Sequence, residues 1–214
     1  MNRFRPPVGL AATLLLTSLA AAPAVAAPRK TIPLPEDQVV LEWVGQVTNF
    51  PATPDAPLGT SEQYGYFTDV RGIASPFGAG AQNETTARFM FFNEVTTTRV
   101  ASNGPLRIID REGTTTIYSA GAGASFTDPS SFRAGTPIQS SAIHQQVVVD
   151  TTSGVFTVVF LNSITSTSPF ELDGEEYQLG RERQMFRTTL TGHLNSPAPP
   201  NGQFGGYSVG VSRK

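Results

Sequence analysis

Residues 143–164 read IHQQVVVD, then TTSG, then VFTVVFLNSI. The first run alternates apolar and polar residues, which is the pattern of a strand with one buried face. The second run is apolar at both odd and even positions, and this is typical of a strand buried on both faces. We therefore predict a β-hairpin whose second arm lies at the centre of the sheet structure.

Other β-prone segments, separated by turn signals, occur on both sides of this hairpin. Asn103-Gly104 and Asp173-Gly174 are dipeptides that favour tight turns. Arg111-Glu112-Gly113 is polar and ends in glycine, so we predict a compact turn there between two short strands. The run 84–100 contains no glycine or proline, which predicts one long bent strand or two strands joined by a bulge near Asn93-Glu94.

The main interruption of this pattern lies at residues 119–137, where small residues are frequent. Thr127 or Asp128 is suited to cap a single helical turn, because Pro129 then occupies the first helical position. We expect this segment to form a loop or lid over a cavity.

About ten short strands, with no amphipathic helical window of useful length, predict an all-β domain. We favour a single antiparallel β-barrel, with a β-sandwich as the alternative. Glycines at 205, 206 and 210 lie within the last β-prone run, and they favour the barrel because strongly coiled strands need close backbone approach.

The N-terminus has the features of a secretory signal peptide. Arg3 and Arg5 precede an Ala/Leu-rich run, and Ala24-Val25-Ala26 fits a small-x-small cleavage site. We therefore expect residues 1–26 to be removed, leaving 188 of the 214 residues. Residues 27–37 form a Pro-rich N-terminal leader, extended or disordered, with order beginning at Gln38, and residues 38–214 form a single β domain. The predicted location is secreted or periplasmic.

Composition narrows the possible partners. Without Arg3 and Arg5, 13 basic residues stand against 17 acidic ones, a formal charge of −4, so nucleic acid is not an expected partner. The chain has no cysteine, so an exported domain would be stabilised by its core rather than by disulfides. We expect no membrane association after signal cleavage, and no cofactor.

Candidate ligand-binding residues come from one polar-apolar strand face and one histidine. Arg88, Met90, Phe92 and Glu94 alternate along one predicted strand and would combine charge with bulky apolar groups, as small-molecule pockets do. His144 lies on the first arm of the hairpin. The two histidines, His144 and His193, show no metal-ligand spacing, so no metal site is predicted.

Residues 206–210 match the G-x-S-x-G pattern of a nucleophile elbow. The elbow requires a strand-to-helix turn with an acid and a histidine later in the chain. Only four residues follow Gly210, and none is Asp, Glu or His. We interpret the match as a coincidence in a Gly-rich strand and name no catalytic residue.

The C-terminal segment 201–207, NGQFGGY, resembles the Gly-x-Phe-x-Gly-type strand start of allene oxide cyclases and dirigent proteins, and Ser153-Gly154-Val155-Phe156 is a weaker match. The resemblance covers about a dozen residues. It implies an antiparallel barrel, calycin or allene oxide cyclase-like, with a mostly apolar cavity. No catalytic residue transfers, because no position matches a family acid or base.

Three functional interpretations remain open. The first is an exported, non-catalytic β-barrel that binds a small apolar ligand or a surface component. The second is a cofactor-free cyclase or isomerase of the allene oxide cyclase/dirigent type, which would need a buried carboxylate or histidine in its pocket. The third is a small outer-membrane β-barrel, because period-two alternation does not reveal whether apolar residues face a core or lipid.

Overall fold

The computed structural model describes residue 1 and residues 29–119, 123–195 and 197–211. Apart from Met1, the predicted signal peptide lies outside these residues. The described chain forms eleven strands and one short 3-10 helix, which are, in order, β1 (Lys30–Ile32), β2 (Val39–Phe50), β3 (Thr60–Val70), β4 (Phe89–Asn103), β5 (Leu106–Ser119), the helix Pro129–Arg133, β6 (Thr136–Asp150), β7 (Val155–Thr167), β8 (Pro169–Leu172), β9 (Glu175–Leu179), β10 (Met185–Leu194) and β11 (Gly202–Val211).

Eight of these strands close into an antiparallel barrel. Strands β2 to β7 pair in chain order, β10 pairs with β7, and β11 pairs with both β10 and β2. Neighbouring strands of the barrel are therefore consecutive in sequence, with two exceptions. These are the closing pair β11–β2 and the pair β7–β10, whose two strands are separated in the chain by β8 and β9. The segment between β7 and β10 contains the hairpin β8–β9, which forms a separate three-stranded sheet with β1. The predicted all-β class and single antiparallel barrel are confirmed.

The predicted hairpin is present as β6 and β7, with Val147 opposite Val158. Its second arm, however, is buried on one face only. Phe156, Val158 and Phe160 point into the barrel and are almost fully buried. The odd-numbered residues Val155, Val159 and Leu161 lie on the outer wall and are about two-fifths exposed, at 43%, 42% and 41%. The expectation of burial on both faces was wrong, because a barrel wall covers one face of each strand and leaves the other to solvent.

One end of the barrel interior is filled by aromatic side chains. Trp43 packs against Phe67 and Phe91, with ring centroids 4.5 and 4.6 Å apart. The indole N–H of Trp43 donates to Ser208 Oγ at 2.6 Å, and both groups are buried. The aromatic interior gives the barrel a solid core at this level.

The small sheet closes the same end of the barrel. Ile32 and Leu34, from the Pro-rich leader, are 3% and 4% exposed and belong to the same hydrophobic core as Phe170 of β8 and Leu179 of β9. Ordered structure therefore begins ahead of Gln38, since the leader supplies both a strand and two core side chains.

A second apolar cluster lies outside the barrel, on the outer face of β3 and β4. The long segments before β4 and before β6 fold over this face, and the 3-10 helix contributes Phe132, which is fully buried. Asp128 caps this helix by accepting from Ser130 N–H at 3.1 Å, as the sequence predicts. The segment before β6 does cover part of the barrel, but its apolar side chains pack on the outer wall. The buried residues of this outer apolar cluster are Tyr64, Phe77, Ala87, Met90, Phe92, Ala124 and Phe132.

The compact turn predicted at Arg111-Glu112-Gly113 is not formed. Strand β5 continues through all three residues and pairs with β4 and β6 on its two sides. Gly113 serves close strand approach rather than a turn, because a Cβ at this position would lie 1.9 Å from the carbonyl oxygen of Glu94. The long strand predicted before it is one continuous strand, β4, with an irregularity between Thr97 and Arg99.

Within the described residues, no helix has both the length and the apolar character needed to cross a membrane.

The one-sided burial of β7 predicts opposite outcomes for two adjacent substitutions. Phe160→Asp places an unpaired charge in the aromatic core, so we expect a loss of more than about 4 kcal/mol and no soluble folded protein. Leu161→Asp places the same group on the outer wall, and we expect a loss of less than about 1 kcal/mol. Urea unfolding followed by circular dichroism measures both. Equal loss in the two variants would contradict the assignment of inner and outer faces.

Candidate functional site

The four predicted ligand residues of β4 and its preceding loop share one face, as expected, but it is the outer face of the barrel. Arg88 pairs with Asp173 at 2.8 Å. Met90 and Phe92 are buried in the outer apolar cluster. Glu94 is exposed and lies 3.4 Å from the guanidinium of Arg133.

His144 also lies on the outer wall, where its imidazole is 3.2 Å from a carboxylate oxygen of Glu112. Strands β6 and β10 each pair with β7 and not with each other, so His144 and His193 do not meet. None of the five predicted residues lines the barrel interior, and their role in ligand binding stays a prediction.

A cavity of about 310 Å³ opens at the barrel end opposite the small sheet, and we call it the mouth cavity. It is surrounded by the end of β2, the start of β3, the hairpin between β4 and β5, and the turn between β6 and β7. Most of its wall is apolar. The lining residues are Val47, Asn49, Phe50, Leu58, Thr60, Gln63, Thr97, Val100, Arg107, Ile109, Arg111, Val147, Val149, Thr151, Phe156, Val158, Leu190, Leu194 and Phe204.

A buried amide network crosses the barrel interior beside this cavity. Gln63 and Gln145 exchange two hydrogen bonds, with Nε2 to Oε1 distances of 2.9 and 3.0 Å. Asn93 Nδ2 donates to Gln63 Oε1 at 3.1 Å. Because Gln63 also lines the cavity, the network separates the cavity from the aromatic core. Its side-chain donors and acceptors are largely used internally, which suits a fixed inner boundary.

Arg111 is the most unusual residue of the mouth cavity. It points inward from β5 opposite Gln145 and is only 9% exposed. Its guanidinium Nη2 donates to Asn49 Oδ1 at 2.9 Å, while Nε is buried without a hydrogen-bond partner. Burial lowers the pKa of Arg111 to about 10, so the group is still charged at neutral pH. Among the described residues, no carboxylate forms an ion pair with it.

Arg111 was not predicted as a site residue, because a charged residue followed by Glu112 and Gly113 resembles a turn. A period-two pattern was nevertheless present. Ile109, Arg111 and Gly113 alternate with outward polar residues, and the same face continues through Thr115 and Ile117. Extending that alternation through the supposed turn would have placed the arginine on the buried face.

The polar groups of the mouth cavity are of few chemical kinds. Its polar groups are amides, hydroxyls and two guanidinium groups, those of Arg107 and Arg111. No carboxylate and no imidazole is among the lining residues that the structure describes, so a general acid or base of the usual kind is missing from its wall.

The G-x-S-x-G segment lies within strand β11, and its serine is structural. Ser208 is fully buried and hydrogen-bonded to Thr188 Oγ1 at 2.7 Å, as well as to the indole of Trp43. The backbone makes no strand-to-helix turn here. The interpretation of this motif as a coincidence agrees with these contacts.

Carboxylates do concentrate at the β8–β9 turn, where they pair with cations rather than with one another. Asp173 contacts Arg88, Glu175 contacts Lys30, and Glu176 lies 2.6 Å from the Nε of Arg29. In the described part of the chain, no group of three or more His, Asp or Glu side chains is arranged to hold a metal ion.

No protein-family model matches this chain, and comparison with curated proteins and with solved structures finds no match. Function is therefore inferred from the geometry of the barrel.

An unpaired buried cation should destabilise the free protein, and its removal should raise stability. Arg111→Met keeps most of the side-chain volume and removes the desolvated charge, although Asn49 loses a donor. We expect a net gain of about 1 kcal/mol, or roughly 2–4 °C in Tm for a chain of this size. Because the pKa of Arg111 is lowered to about 10, this destabilisation is complete below pH 10 and is relieved only as the pH rises above about 10. Thermal unfolding is therefore measured at pH 7.

Arg99→Met is the matched control, because it removes the same charge from the outer wall. Arg99 donates to Asp110 at 2.5 Å, and this hydrogen bond is the main cause of the lowered pKa of Asp110. We expect Arg99→Met to lower Tm, opposite in sign to Arg111→Met. A fall in Tm for both variants would show that Arg111 is already compensated in the folded protein.

Proposed function

We propose that this protein is an exported, non-catalytic β-barrel that binds a small, largely apolar molecule in its mouth cavity. The observation that carries the proposal is the cavity of about 310 Å³ between apolar strand walls at the open end of an otherwise filled barrel. Its size and composition are those of small-molecule sites, with apolar walls and a few fixed polar groups.

A barrel-type cyclase or isomerase is a weaker interpretation for this cavity. Such chemistry needs an acid or base within hydrogen-bond reach of the substrate. The charged groups on the described cavity wall are Arg107 and Arg111, and an arginine keeps its proton at neutral pH. Binding therefore fits these side chains better than proton transfer does.

An outer-membrane barrel is also a weaker interpretation. The outer wall carries the exposed pair His144–Glu112 and, on β10, the exposed Arg187. A charged side chain facing the middle of a bilayer costs about 2–4 kcal/mol. The outer apolar cluster is covered by the chain's own loops rather than left for lipid.

Filling the mouth cavity should block binding. Val147 lines it, whereas its neighbour Val148 lies on the outer face opposite Thr157, so Val147→Phe and Val148→Phe form a matched pair. We expect octan-1-ol to shift the methyl NMR signals of Val158 and Leu190. Val147→Phe should weaken this binding at least about tenfold, equivalent to 1.4 kcal/mol, while Val148→Phe should leave it unchanged.

Two results would contradict the proposed site. The first is an absence of shifts at the cavity methyl groups over the whole titration. The second is equal weakening by both phenylalanine variants, which would place the alcohol elsewhere on the barrel.

The proposed export has its own test. If cleavage occurs after Ala26, the mature protein begins at Ala27, three residues before β1. N-terminal sequencing of the protein recovered outside the cytoplasm should read Ala-Pro-Arg-Lys. Recovery of the intact chain with Met1 would contradict cleavage, and cleavage beyond Leu34 would remove core residues of the closed end.

A further inference from the structure

The charge of Arg111 is the least compensated feature of the barrel interior. A guanidinium has five N–H donors, yet the described structure gives this one a single acceptor, the neutral Asn49 Oδ1. A buried cation without an anion is unfavourable, and proteins ordinarily pair such groups. Its position in the wall of a cavity points to a ligand as the missing partner.

The other charged residue that lines the mouth cavity is also positive. Arg107, nearer the rim, is a second lining cation, and no acidic residue lines the described wall. Because its described lining carries positive but no negative side chains, the cavity favours anions over neutral molecules and cations.

The walls restrict the kind of anion. Val147, Val158 and Leu190 line the inner part of the cavity, and Phe50 and Leu194 are partly exposed at its open end. A small inorganic anion would leave these apolar surfaces wet, whereas an organic anion would bury its carbon skeleton against them. A single buried guanidinium is neutralised by one negative charge, and its planar donor fork matches a carboxylate.

The different depths of Arg111 and Arg107 in the cavity set the orientation of a bound organic anion. Arg111 is 9% exposed, whereas Arg107 is exposed and lies four residues nearer the β4–β5 turn. A carboxylate that reaches Arg111 must enter first, and the apolar body then lies between the valine walls and the rim.

We propose that the mouth cavity binds an organic monocarboxylate head first, with the carboxylate against the Arg111 guanidinium and the apolar body toward the opening. This inference rests on the proposed binding function and adds to it the chemical class of the ligand and its orientation. Arg111 is then a ligand-binding residue whose cost to the free protein is offset when the anion is bound.

The test compares octanoate with octan-1-ol, which share a chain length and differ in charge. Isothermal titration calorimetry at pH 7 should show octanoate binding at least about tenfold more tightly to the wild-type protein. Arg111→Met should remove that preference by weakening octanoate at least about tenfold, with octan-1-ol changed by less than about threefold. The variant is expected to fold, since it removes a destabilising charge.

Arg99→Met and Arg107→Met are the controls. The first removes the same charge from the outer wall and should leave both affinities unchanged, which excludes an effect of net charge. The second removes the rim cation and should reduce octanoate affinity less than Arg111→Met does. A larger loss at Arg107 would place the carboxylate at the rim and overturn the head-first orientation.

The outcomes separate this inference from the proposed function. Equal affinity of the wild-type protein for octanoate and octan-1-ol, with both reduced by Val147→Phe, would overturn the anion specificity and leave apolar binding intact. An absence of binding by both probes would overturn the proposed function and this inference together.

Discussion

The buried hydrogen bond from the Trp43 indole to Ser208 Oγ joins the first and last strands of the barrel, and the rest of the structure depends on the closure at which it lies. Closure requires β11 to pair with β2 across more than 150 residues of sequence. Such a contact carries a large entropy cost of loop closure, which burial at the junction must offset. Gly206 lies opposite Trp43, and a Cβ there would lie 2.0 Å from the Thr189 carbonyl oxygen, so glycine allows the strands to approach.

Closure also fixes what each end of the barrel can do. At one end, aromatic side chains and the small sheet fill the interior, and the segment following the predicted signal peptide supplies two of the core residues, Ile32 and Leu34. The other end is bordered by loops and turns and has no such cap, so the interior remains accessible there. The barrel therefore has a filled end and an open end, and the open end is where we propose the binding site.

Much of this fold was predictable from local sequence. The hairpin of β6 and β7, the turn at Asp173-Gly174 and the Asp128 cap are set by neighbouring residues, and all are present. The all-β class and the barrel follow from strand number and the late glycines. The prediction that β7 is buried on both faces was wrong, because the spacing of apolar residues alone does not show how many faces of a strand are covered.

The site was less predictable, because it depends on strand curvature and on which loops cover which wall. Met90 and Phe92 were predicted to line a pocket, but they lie on the outer wall, where two loops bury them from outside the barrel. No local pattern specifies such a cover. Arg111 was missed for the converse reason, since its polar neighbours suggested a turn although its own face continues the inward alternation.

The proposed specificity of the mouth cavity rests on which of its polar groups already have hydrogen-bond partners. Gln63 and Gln145 bond to each other, and Asn93 Nδ2 adds a third hydrogen bond to the same network. Asn93 Oδ1 is buried without a partner, but Asn93 is not a lining residue of the cavity. Arg111 differs, because four of its five N–H donors have no acceptor within the described structure. A ligand gains the most binding free energy from a buried polar group that loses little water on binding and has no hydrogen-bond partner in the protein. The amide network thus leaves Arg111 as the inner polar group best able to select a ligand by its charge.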